Sequence, residues 1–129
     1  MAVAALLLVT LLAGTLFLPL DLYYERARLG SLMPKFNAAV SDLTLTYAQP
    51  GYIPLPRSYA YLSRSGGEVI VCGEGSARTI MFYTFRGILD NFSVYAYAPT
   101  PEAYASLTEY TDWLEVVQMR NSWYFCAHR

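Results

Sequence analysis

Residues 78–86 read RTIMFYTFR, and the fold that the sequence predicts is built around this stretch. Strand periodicity puts Ile80 and Phe82 on one face and the intervening apolar side chains on the other. A strand that is apolar on both faces is typical of a central position that is covered on either side. We therefore expect a β-sheet with this strand near its middle.

The flanking segments predict the partners of this strand. The turn between the first two predicted strands contains Gly66 and Gly67, which accept the positive φ of a tight hairpin. Later segments alternate in strand periodicity and end in a closing hairpin around residues 120–122. The predicted strands are residues 59–63, 68–72, 78–86, 92–98, 113–119 and 123–128, with Trp113 and Leu114 alternatively part of the preceding helix.

One helix is predicted within this sheet region. Thr100 is a favoured N-cap residue, Pro101 suits the first helical position, and Glu102 suits the first turn. Tyr104 and Leu107 then fall on one face of a helix of about ten residues. The predicted fold class is therefore α+β: a small, mainly antiparallel sheet of five or six strands with one packed helix, preceded by a single transmembrane helix.

The region before the sheet is predicted to be a helix and a linker. The helix continues through residues 22–29 and ends near Gly30, and Pro34 can open a second short helix. Residues 43–47 alternate as a short strand, whereas the prolines of residues 49–56 require an extended chain that is neither helix nor central strand. The predicted organisation is a transmembrane anchor at residues 1–24, a juxtamembrane helix and Pro-rich linker at 25–56, and a sheet domain at 57–129.

The N-terminal segment predicts a membrane anchor. Residues 2–20 read AVAALLLVTLLAGTLFLPL, and no charged residue precedes Asp21. About nineteen helical residues span the hydrocarbon core of a bilayer, roughly 30 Å. Tyr23 and Tyr24 follow where interfacial aromatic residues usually lie. A cleaved secretory signal is the alternative, although such signals begin with basic residues and have a shorter apolar stretch.

Two arguments about the orientation of the domain conflict. Arg26, Arg28 and Lys35 follow the apolar segment and nothing basic precedes it, which favours a cytoplasmic domain by the positive-inside rule. Long domains, however, cross membranes largely regardless of charge, and two cysteines suit a disulfide in an oxidising compartment. We expect an extracytoplasmic, periplasmic domain.

Cys72, Cys126 and His128 are the residues with the most reactive chemistry. The favoured interpretation is a disulfide between Cys72 and Cys126 on adjacent strands. Buried free thiols are one alternative. A zinc site or a Cys126–His128 nucleophilic pair is another, since residues two apart on a strand share a face. The spacing provides no further ligand or orienting group, so we predict no enzyme activity, no metal and no cofactor.

The tyrosines are unusually numerous, at twelve in 129 residues. Tyr59 and Tyr61 share a face of their predicted strand, as do Tyr95 and Tyr97. Tyrosine is enriched at protein interfaces, because it joins an apolar ring to a polar tip, but it also simply suits strands. We expect these four tyrosines to form an interaction face.

The predicted function is that of a non-catalytic, single-pass membrane protein, an accessory or stabilising subunit of a larger membrane complex. Its expected partners are other membrane-protein subunits and the lipid bilayer. A net charge of −1 without a basic stripe gives no support for nucleic-acid binding. The alternative is a membrane-anchored extracytoplasmic binding module for a small ligand or peptide. A pocket lined by several tyrosines favours this alternative, and a flat tyrosine face favours the subunit.

Overall fold

A computed structural model describes the chain over residues 20–46, 49–87 and 91–128, with side chains over residues 22–42, 49–87 and 91–128. Two helices come first and six strands follow, with a third helix between the fourth and the fifth strand. In chain order the elements are α1 (Leu20–Ser31), α2 (Met33–Thr46), β1 (Gly51–Pro54), a 3-10 helix (Arg57–Leu62), β2 (Glu68–Cys72), a 3-10 turn (Gly75–Ala77), β3 (Thr79–Arg86), β4 (Phe92–Tyr97), α3 (Pro101–Tyr110), β5 (Glu115–Arg120) and β6 (Trp123–His128).

The six strands form one antiparallel sheet in the order β1-β2-β3-β4-β6-β5. Strands β3 and β4 lie in the middle, with Phe82 opposite Tyr95 and Tyr83 opposite Val94. The predicted α+β class, the antiparallel sheet and the central position of residues 78–86 are confirmed. Strand β1 lies at one edge, where the prolines of this segment are tolerated because no ladder partner is needed on the outer side.

Both faces of the sheet are covered. On one face, the helices α1 and α2 contribute Leu29 and Phe36 to a core that includes Phe82 and Trp123. On the other face, α3 packs its buried residues against Met81, Val94 and Ala96 of the central strands. This arrangement accounts for the apolar character of both faces of β3, whose first six residues are buried.

Helix α3 begins and docks as its sequence predicts. The backbone N–H of Ala103 donates to the Thr100 hydroxyl at 3.0 Å, so Thr100 is the N-cap, and Pro101 occupies the first turn. The buried Thr79 hydroxyl of β3 donates to the carbonyl of Ala103 at 2.7 Å. This bond satisfies a buried polar group and fixes the start of the helix to the central strand.

Phe36 of α2 lies at the centre of the first core. Its ring meets the rings of Phe82, Tyr95 and Trp123 edge-to-face, with centroid separations of 5.0, 5.5 and 5.5 Å. The side chain is fully buried. Residues of the segment predicted as helix and linker therefore share one core with the sheet.

Helix α1 is attached to the same face through Tyr95. The Tyr95 hydroxyl donates to the Glu25 carboxylate and also lies 3.2 Å from the Glu25 carbonyl oxygen. The Arg28 guanidinium lies over the Tyr95 ring, 5.5 Å from its centroid. Burial, followed by the hydrogen bond to Glu25, raises the pKa of the Tyr95 hydroxyl, which therefore stays protonated and can donate.

Two predicted strands are wrong. Residues 43–46 belong to α2, and residues 59–62 belong to the 3-10 helix. In the first case, α2 buries Phe36, Ala39 and Val40 at helical spacing. Because a helix that has formed is readily extended, it continues through residues 43–46 despite their alternating pattern. In the second, β1 pairs with β2 in the position expected for residues 59–63. The following chain turns back through the backbone bond from the Tyr59 N–H to the Pro56 carbonyl, at 2.9 Å.

Most of the predicted anchor, residues 1–19, lies outside the described residues. Among the helices of the described part of the chain, none has both the length and the apolar composition needed to cross a bilayer.

Phe36→Ala should lower the free energy of unfolding by about 3–5 kcal/mol, because it removes a fully buried ring and leaves a cavity between α2 and the sheet. Asn37→Ala is the matched control: the neighbouring side chain is exposed, and its loss should change stability by less than about 0.5 kcal/mol. Urea unfolding of the full chain in a non-ionic detergent, followed by tryptophan fluorescence, measures both. Equal midpoints for the two variants would show that α2 is not part of the core.

Candidate functional site

The two cysteines do not form the predicted disulfide. Cys72 ends β2 and Cys126 lies in β6, and strands β3 and β4 separate them in the sheet. Three interstrand spacings amount to about 14 Å, well beyond the roughly 7 Å that a disulfide can bridge between Cα atoms. Both thiols are free. The prediction of adjacent, bonded cysteines is therefore wrong, and the chain loses that argument for an oxidising compartment.

The Cys126–His128 pair shares a sheet face, as expected, but the thiol is poorly suited to nucleophilic chemistry. Burial raises the pKa of Cys126 to about 12, with a further contribution from Glu115. The thiol is therefore protonated at neutral pH, whereas a nucleophile must be a thiolate. Within the described residues, no group of three His, Cys, Asp or Glu side chains is placed to hold a metal ion.

The four tyrosines of the predicted interaction face do not form one exposed surface. Tyr95 is fully buried, and Tyr97 is half-buried with its ring 5.2 Å from that of Trp123. Tyr59 is half-buried, whereas Tyr61 is 54% exposed. The alternation of β4 is as predicted, but the face that carries Tyr95 is covered by α1 and α2, so it cannot serve as an open surface.

Another set of tyrosines converges on a cleft of about 590 Å³. The cleft lies on the sheet face that α3 partly covers, beyond the C-terminal end of this helix. Its walls come from β1, β3, β4, β6 and the end of α3. The residues that line it are Tyr52, Tyr83, Arg86, Gly87, Asn91, Phe92, Tyr110, Thr111 and His128.

A β-bulge brings Arg86 into the cleft. Tyr83 pairs with Val94, but Phe85 pairs with Ser93, so Thr84 is an extra residue in β3. In a regular strand, positions 83 and 86 would point to opposite faces. The bulge restores Arg86 to the face of Tyr83, where its guanidinium lies 5.2 Å from the centroid of the Tyr83 ring.

The aromatic walls of the cleft are supported by Trp113. Its indole N–H donates to the Leu107 carbonyl of α3 at 2.7 Å, which fixes the ring beneath the end of the helix. From there the indole contacts Phe92 and Tyr110, with centroid separations of 5.5 and 6.2 Å. Phe92 also stacks on His128 at 5.2 Å. The rings therefore hold one another in place.

Three tyrosine hydroxyls meet at the cleft. Tyr52 lies close enough to Tyr83 and Tyr110 to influence the pKa of both hydroxyls. Burial is the main cause that raises the pKa of both Tyr83 and Tyr110, and the interaction with Tyr52 adds to it. Tyr83 and Tyr110 therefore remain protonated phenols, which can donate as well as accept hydrogen bonds.

Sequence reasoning missed this cleft, because its residues carry weak local signals. Tyr52 lies in a proline-rich segment and Tyr110 at the end of a helix, so neither alternates with a second tyrosine. The prediction that Tyr83 belongs to a strand with two apolar faces is correct. How much of the Tyr83 face is covered, however, depends on the length of α3.

The chain finds no match among protein-family models, curated protein sequences or solved structures. The cleft therefore has to be interpreted through its own chemistry. It offers aromatic ring faces, phenol hydroxyls, an amide and one guanidinium. Such a set can hold and orient a molecule through stacking and hydrogen bonds.

Proposed function

We propose that this protein is a membrane-anchored, non-catalytic binding module that holds a small ligand in the aromatic cleft. One observation carries the proposal: Tyr52, Tyr83 and Tyr110 come from three separate elements and converge on one concave site. The volume of about 590 Å³ is within the range of roughly 300–1,000 Å³ typical of small-molecule sites.

The shape and lining of the site favour a flat ligand. The rings of Phe92 and Tyr110 line the cleft, and both contact Trp113. Stacking between aromatic groups contributes about 0.5–1.5 kcal/mol beyond the area it buries. A planar, largely apolar molecule would therefore gain most from these walls.

Membrane attachment through residues 2–20 is part of the proposal. Its support is the uncharged composition of that segment and the exposed Tyr23 and Tyr24 at the start of α1. Without the disulfide, the remaining argument about orientation is the cluster of Arg26, Arg28 and Lys35 after the apolar segment, which favours the cytoplasmic side.

An accessory subunit of a membrane complex is the second candidate function. The observation that favours it is a pair of exposed apolar side chains, Phe85 and Leu114, which are 53% and 61% exposed. They line a smaller depression of about 320 Å³ that shares Asn91, Phe92 and His128 with the cleft. Exposed apolar groups that lie together are typical of protein contact sites.

Tyr110→Ala should weaken binding of a flat aromatic ligand about tenfold, which corresponds to roughly 1.4 kcal/mol, because one wall of the cleft is lost. Tyr104→Ala is the matched control, since Tyr104 lies on the same helix and is similarly exposed but does not line the cleft. A panel of bicyclic aromatic compounds, titrated into the full chain by calorimetry, provides the measurement. Equal affinities for the two variants would contradict binding in the cleft.

Fractionation of the native host should recover the chain in membranes, with release only by detergent, because residues 2–20 carry no charge. Recovery in the soluble fraction would contradict the anchor.

Mass spectrometry of the particle purified in mild detergent distinguishes the two candidate functions. A detergent-solubilised monomer without a partner chain would contradict the accessory subunit and leave the binding module as the function.

A further inference from the structure

We infer that the ligand is a flat aromatic molecule with a carboxylate, and that Arg86 binds this carboxylate at the mouth of the cleft. The inference rests on the proposed binding function and specifies the chemical class of the ligand. It is carried by the charge of the cleft lining, by the way Arg86 is held, and by the neutral hydroxyls beside it.

Among the described residues, the lining of the cleft contains one guanidinium and no carboxylate. Arg86 contributes its guanidinium, and none of the described residues that line the cleft is an aspartate or a glutamate. Glu68 lies close enough to influence Tyr83 but is not part of the lining. A single arginine matches the single negative charge of a carboxylate.

The guanidinium of Arg86 is held in position by two neighbours. Its Nη1 donates to the Ser65 hydroxyl at 2.9 Å, and its Cζ lies 5.2 Å from the centroid of the Tyr83 ring. A guanidinium has five N–H donors in a planar fork, so one bond to Ser65 leaves further donors for a ligand. Paired donors of this kind match the two oxygens of a carboxylate.

The phenol hydroxyls extend this donor surface into the cleft. Because burial raises the pKa values of Tyr83 and Tyr110, both remain neutral and can donate to an anionic oxygen. The aromatic body of the ligand would then lie against Phe92 and Tyr110. A molecule that combines an aromatic body with a carboxylate matches this combination of rings and donors.

The bulge at Thr84 is what makes this recognition possible. Thr84 is buried, and its hydroxyl is hydrogen-bonded to that of Ser93 at 2.5 Å. Arg86 pairs with Phe92 across the strands as a result of the shifted register. The cation and the aromatic wall are therefore fixed side by side in the sheet.

The test compares 2-naphthoate with its neutral isostere 2-naphthamide by calorimetric titration of the full chain in a non-ionic detergent. We expect the acid to bind about tenfold more tightly than the amide, since Arg86 is largely exposed and water moderates the gain. Arg86→Gln should abolish this preference without unfolding the domain, as circular dichroism can verify. Arg57→Gln, at an exposed arginine outside the cleft lining, should leave the preference unchanged.

Two outcomes would overturn the inference, and they differ in what they say about the proposed function. In the first outcome, the acid and the amide bind equally, or the Arg86→Gln variant keeps the preference for the acid. If Tyr110→Ala still weakens the binding of both compounds, the cleft binds ligands but Arg86 does not recognise their charge. If neither compound binds, the proposed function fails together with the inference.

Discussion

The burial of the central strands on both faces is the constraint on which the rest of the structure depends. The first six residues of β3 are all buried, and so are Val94, Tyr95 and Ala96 of β4. Apolar strands of this kind require cover on each side. Helices α1 and α2 provide it on one face and α3 on the other, so elements distant in sequence are drawn into one three-layered arrangement.

The cleft arises where this cover ends. Helix α3 has ten residues and is about 15 Å long, whereas the eight residues of β3 extend over about 27 Å. The part of the face that α3 does not reach is bordered instead by Tyr52, Phe92 and His128. At that same end, the bulge in β3 turns Arg86 toward the uncovered face. A site with a cation and aromatic walls thus follows from how the sheet is covered and how its register shifts.

Local sequence patterns predicted most of the sheet and α3, because strand alternation and the Thr100 cap act within a few residues. They failed at residues 43–46 and 59–62, where short alternating patterns were overridden by a helix already docked and by pairing of β1 with β2. The cysteine pairing failed because periodicity does not encode strand order. Similarly, alternation correctly separated Tyr95 from Val94 but did not predict that α1 and α2 cover the Tyr95 face. The cleft depends on tertiary packing of this kind, so no local sequence pattern predicted it.

Ligand binding on the α3 face of the sheet can be tested with the two tryptophans of the chain. Trp113 supports the cleft, whereas Trp123 is buried on the opposite face against Phe36. Nitrogen-15 labelling of tryptophan gives one indole N–H signal for each, assigned with Trp113→Phe. Addition of 2-naphthoate should shift the Trp113 signal until saturation and leave the Trp123 signal unchanged. A shift of Trp123 alone, or no shift of either signal, would contradict the account.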